Sequence, residues 1–174
     1  DAEKVAQEIK KSGKKLTTIF VSHGDPDFYF GLEVFKKYFP EVTAYATPAT
    51  IEHIKATAQK KLDVWGERLG KNITSNVILP QVLKGNSIEL EGHHLEIVGL
   101  QEFPSQTFVW IPSIKAVVGG INVFGTTFHL WMADAQTTEA RKNWISVLDK
   151  ITALNPEIVI PAHAKSDSPF DMTA

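Results

Sequence analysis

The sequence predicts one domain of mixed α/β (α+β) class over residues 1–174. Three observations predict it. In the first half, apolar residues at helical spacing alternate with short runs of β-branched and aromatic residues, the pattern of helices feeding strands. In the second half, two pairs of strand-like runs, each pair joined by a turn, lead into one more helix and a last strand. Directly after the first strand, His23, Asp25 and Asp27 fall within five residues. A ligand-rich turn at the C-terminal end of a strand is where α/β proteins place their chemistry. A chain of this length buries roughly 70% of the surface that it exposes unfolded, so its core needs no staples.

Ala2, Val5, Ala6 and Ile9 recur at helical spacing, and Gly13 after two lysines and a serine stops that helix. Residues 15–22 read as a strand through Leu16, Ile19, Phe20 and Val21. Asp25 before Pro26 is a helix start, with an acceptor at the cap position and proline in the first turn. Asp25 as a cap therefore stands beside Asp25 as a ligand. The helix runs to about Phe39, with Phe28, Leu32, Phe35 and Phe39 on its buried stripe and Pro40 closing it. Residues 42–46 form a short strand. Thr47 and Pro48 open a long helix ended by Gly70, with Ile51, Ile54, Ala58, Leu62, Trp65 and Leu69 inward and a lysine-rich solvated face. His53, with no ligand type four residues away, is read as an ordinary helix residue.

Residues 73–86 read as a long connection. Residues 87–90 and 94–98 make a hairpin around Glu91, Gly92 and His93, and the adjacent His93 and His94 point to opposite faces. Residues 106–111 and 115–118 make a second hairpin. Thr137 or Thr138 caps a helix from Glu139 to about Leu154, with Trp144, Val147, Leu148 and Ile151 inward. Residues 157–160 are the last strand, and residues 167–174 read as a tail without structure.

The stretch Val21-Ser22-His23-Gly24-Asp25-Pro26-Asp27-Phe28 resembles the His-x-His-x-Asp-His signature of the metallo-β-lactamase superfamily. His23 stands at the first histidine position and Asp27 at the aspartate. Asp25 fills the second histidine position, and Phe28 the last. Ile160-Pro161-Ala162-His163 resembles that family's late Pro-Gly-His turn, and the segment ending Gly119-Gly120 resembles its Gly-Asp turn, with Gly120 where the bridging aspartate would stand. The family's early histidine has no counterpart in residues 99–105, where only Glu102 offers an oxygen. The resemblance implies a metallo-β-lactamase-like αβ/βα sandwich. Family members open with several antiparallel strands where this chain opens with a helix, so the expectation is a sandwich incomplete at its N-terminus. It would be a piece of a longer chain, or a homo-oligomer that completes its sheet.

The family's two-metal centre, in which a shared hydroxide attacks a carbonyl or phosphoryl group, keeps too few ligands here. What the resemblance leaves is one divalent ion, Zn²⁺, Mn²⁺ or Fe²⁺, held by His23, Asp25, Asp27 and His163. Asp27 would then orient or deprotonate the attacking water on an ester, lactone, thioester or similar bond. The alternative is no metal at all. In that case a protonated His23 or His163 balances the carboxylates, and the protein is an inactive member of the fold serving as a ligand-binding or oligomerising module. The family often sets a histidine and a large apolar residue beside its pocket, so the segment is read either as a packed aromatic stretch or as a wall for a small-molecule substrate or ligand, with His129 and Trp131 lining it and Asp134 following.

Composition removes other classes. No cysteine is present, so disulfides, a thiol nucleophile and thiolate-bound zinc are excluded. Eighteen basic against twenty acidic residues, with no basic block, leave no nucleic-acid footprint. No apolar run approaches the ~20 residues that span a bilayer. The N-terminus has no apolar signal core, which leans towards the cytoplasm while leaving a cleaved upstream signal peptide open. A Gly-x-Ser-x-Gly elbow, a Walker loop and a Gly-x-Gly-x-x-Gly turn are all missing.

Overall fold

The computed structural model describes residues 1–126 and 128–172. The chain divides into two compact units, the first running from Asp1 to Leu83 and the second from Lys84 onward. In the first, helix α1 (Ala2–Lys11) precedes strand β1 (Thr18–Val21). Helices α2 (Pro26–Tyr29) and α3 (Leu32–Tyr38), strand β2 (Thr43–Ala46) and helix α4 (Pro48–Leu69) follow. A short strand, β3 (Gln81–Val82), closes the unit. The sheet is parallel in the order β1-β2-β3, which puts β1 at one edge. Its core is built from Val21, Tyr29, Leu32, Ala44, Ala46, Ile51 and Ile54.

Three expectations change here. The helix expected from Asp25 to Phe39 is two helices, interrupted at Phe30 and Gly31. A side chain on Gly31 would stand 3.2 Å from the Ala2 Cβ, so this is a point of close approach by α1. The buried positions are Tyr29 and Leu32, while Phe28, Phe35 and Phe39 are half-buried. In α4, a 22-residue helix, only Thr50, Ile51 and Ile54 are buried, all within its first two turns. The expected connection after α4 contains β3 and is pinned by Glu33. That carboxylate accepts from the Thr74 hydroxyl at 2.7 Å and from the Ser75 amide at 2.9 Å. These hydrogen bonds, led by the one from the Ser75 hydroxyl, hold Glu33 down at about 2.

The second unit carries a five-stranded sheet of β4 (Ser87–Leu90), β5 (His93–Val98), β6 (Phe108–Ile111), β7 (Ala116–Val118) and β8 (Ile158–Ile160), in that order. Antiparallel pairing runs from β4 to β7, and β8 lies parallel to β7. Glu91 and Gly92 both take positive φ, 51° and 81°, as a two-residue hairpin turn requires. Helix α5 (Thr138–Ala153) is capped by Thr137, whose hydroxyl accepts from the Ala140 amide at 3.1 Å. Val147 and Ile151 join Phe103, Phe108, Trp110, Val117, Val123 and Val159 in the core. Leu148, expected inward, is 39% exposed. The expected tail is in part ordered, since the Phe170 carbonyl accepts from the Val159 amide at 2.9 Å and Ser168 is buried. Thr173 and Ala174 lie outside the described residues.

Candidate functional site

In the first unit, β1 delivers Ser22 and His23 to the strand end, and the chain turns through Gly24 and Asp25 into α2. Asp25 occupies the cap position of that helix, yet its side chain makes no capping hydrogen bond. Its carboxylate is held elsewhere. Lys61, from the middle of α4, puts its ammonium 2.9 Å from Asp25 Oδ1, 2.8 Å from the Gly24 carbonyl oxygen and 3.2 Å from His53 Nε2. An ammonium has three N–H donors and no acceptor, so these three contacts saturate it. The same logic makes His53 Nε2 the acceptor and leaves the ring proton on Nδ1. His53 and Lys61 stand eight residues apart on α4, two turns along one face. Gly24 lets that face come close, because a Cβ there would lie 2.5 Å from His53 Cδ2.

His23 is buried beside this cluster. Its ring meets Phe28 edge-on at 5.6 Å, and the His53 ring lies 6.2 Å away. Its Nδ1 is 3.6 Å from Asp25 Oδ2, beyond hydrogen-bond distance. Burial is the main reason that His23 is lowered to about 4, with Asp25 opposing the shift and His53 and Lys61 adding to it. At neutral pH the ring is therefore uncharged, and the cation balancing Asp25 is Lys61 rather than a histidine. Asp27 lies on the exposed side of the first turn of α2.

The other expected site residues belong to the second unit. His163 follows β8, where its segment pairs with Phe124 and its carbonyl accepts from the Gly125 amide at 2.7 Å. The imidazole stacks on Phe124 at 5.0 Å and 14°. Trp131 and Asp134 come together in a hollow that Gln106, Ile121, Asn122 and Trp144 also line. The Trp144 indole donates to the Asn122 carbonyl at 2.9 Å, and the Asn122 amide to the Gln106 carbonyl at 2.7 Å, which fixes that wall. His129 stacks on Phe128 instead, at 4.9 Å.

A resident metal ion does not fit the Asp25 cluster as it stands. One carboxylate oxygen is engaged by an ammonium that already carries the required positive charge. Among the described residues, no three histidine, aspartate or glutamate side chains are grouped to hold an ion. Sequence reasoning missed Lys61 and His53. The signal was there in the spacing, two polar residues in register on a helix that starts after a short parallel strand. It was masked by the general rule that a lysine-rich helix face is solvated.

No protein-family model matches the sequence, and no curated protein does either. Solved structures do match in fold. The metallo-β-lactamase IND-7 is similar over 95% of this chain and 69% of its own, with a TM-score of 0.65 at 18% identity. A metallo-β-lactamase from Pontibacter korlensis is similar over 98% of this chain and 71% of its own, with a TM-score of 0.69 at 17% identity. The B3 metallo-β-lactamase BLEG-1 gives 0.65 at 16% identity, over 91% of this chain and 75% of its own.

Proposed function

We infer, from a chain that has the metallo-β-lactamase fold, that the protein binds a small molecule and that its strand-end site works without a metal. One observation carries this reading: Asp25, the carboxylate in the second histidine position of the motif, is bonded to Lys61 at 2.9 Å. A single-ion hydrolase built on His23, Asp25, Asp27 and His163 requires Asp25 to exchange that ammonium for a metal. Losing its carboxylate would leave the ammonium of Lys61, whose side chain is 19% exposed, with only the Gly24 carbonyl and His53 Nε2 as partners, at a cost in stability. The hollow at Trp131, Asp134 and Trp144 joins two indoles to a carboxylate and amide groups, and binding is sought there first.

The test is a screen of the purified chain against β-lactam, ester, lactone and thioester probes, with and without added Zn²⁺, Mn²⁺ or Fe²⁺. Indole fluorescence reports ligand binding in the same samples. The expected result is binding by some probes with no ion-dependent turnover. Turnover that requires an added ion and is lost in Asp27→Ala would overturn the reading and restore the hydrolase.

A further inference from the structure

We propose that the Gly24 carbonyl, Asp25 Oδ1 and His53 Nε2 form a seat for a primary ammonium group, and that Lys61 fills it as a tethered cation. The inference deepens the metal-independent reading and rests on it. Three acceptors of different kinds, a backbone carbonyl, a carboxylate and an imidazole nitrogen, surround one nitrogen at 2.8, 2.9 and 3.2 Å. They come from two separate parts of the chain, the β1 end and α4, and equal in number the three N–H donors of an ammonium. A Cβ at position 24 would stand 2.5 Å from the His53 ring, so glycine is part of the construction.

Tethering has a chemical consequence. A cation carried on the chain needs no supply from solution, is not removed by chelators, and keeps Asp25 charged and hydrogen-bonded at every metal concentration. It also occupies three acceptors that an external cation would otherwise use at this point. Any ligand recognised there must interact with what the cluster leaves exposed, not with a vacant coordination position.

Lys61→Ala removes the atoms from Cγ to Nζ, which together correspond to n-propylammonium, so that ion is the probe. The expected result is a lowered Tm for Lys61→Ala that rises in n-propylammonium chloride and not in sodium chloride of equal ionic strength. The unsubstituted protein and Lys61→Met, whose side chain fills the space, gain nothing. Rescue disappears in Lys61→Ala combined with Asp25→Asn. A folded Lys61→Ala that n-propylammonium does not stabilise overturns the proposal, as does rescue that survives the loss of the Asp25 charge. A second measurement on the unsubstituted protein covers a variant that does not fold. Acetic anhydride should modify Lys61 at least ~10-fold more slowly than the exposed Lys60, the kinetic equivalent of about 1.4 kcal/mol, and equal rates overturn the proposal. Stoichiometric metal in the unsubstituted protein instead overturns the metal-independent reading, so the two failures are distinct.

Discussion

Asp25 and Lys61 have side chains only 16% and 19% exposed, and charges so placed need partners. His23, packed against the same turn, takes the opposite course and stays neutral. Its folded-state value is held at about 4, below the ordinary 6.5, chiefly by burial. As pH falls through 6.5 the unfolded chain therefore takes up a proton that the folded chain refuses. Stability is full above 6.5 and is lost between 6.5 and 4, by on the order of 3 kcal/mol from this one ring. Urea unfolding at steps from pH 7.5 to 4 should show that slope, flattened in His23→Gln, and the ring protons of His23 should titrate near 4. A midpoint at or above 6 contradicts the burial argument. At this scale the sequence displayed the carboxylates and His23 but not their cation. Two readings of Asp25 were on offer, a cap and a ligand; the side chain makes no cap bond and is bonded to Lys61. A contact between residues 36 apart in sequence leaves no local trace.

The elements were legible where their chemistry is local. Helix α4 starts at Pro48 and stops at Gly70, because cap, proline and glycine each act within a turn. Thr47 is buried, and its hydroxyl accepts from the Thr50 amide at 3.1 Å and contacts the Thr50 hydroxyl at 3.0 Å. Thr47→Ala should cost about 1–2 kcal/mol, at the upper end of the range for caps, because the lost acceptor is shielded from water. Chemical denaturation measures it, and a loss under about 0.3 kcal/mol, ordinary for an exposed site, contradicts the assignment. Where an element depends on its neighbours, the pattern failed. The break at Phe30 and Gly31 accompanies the close approach of α1. Strand β3 is two exposed residues whose only strand signal is the partner they pair with. Leu148 follows Val147 in sequence, and of these two neighbours only Val147 faces inward.

Across the whole molecule, the order of helices and strands and the placement of ligand types at strand ends were enough to recognise the metallo-β-lactamase fold. The same order is kept by solved structures with under a fifth of their residues in common with this chain. Hydrophobic periodicity and turn chemistry, which set that order, tolerate extensive substitution. The chemistry of a site does not, because it depends on single atoms. In the proposed reading, one lysine on α4 takes the place of an ion at the strand end while the fold is kept. Among the described residues no helix is long and apolar enough to cross a membrane, which agrees with the sequence. The expectation of one domain stands beside two compact units in the contacts.

If Lys61 rather than a metal balances the strand-end carboxylate, the protein carries no stoichiometric ion, and its metal content decides between the two. Protein purified without chelator or nickel resin would be assayed by elemental analysis before and after incubation with Zn²⁺, Mn²⁺ and Fe²⁺, alongside Asp25→Ala and His163→Ala. Far less than one ion per chain is expected in every sample, with a Tm unchanged by EDTA. Close to one ion per chain, lost in both variants, would contradict it.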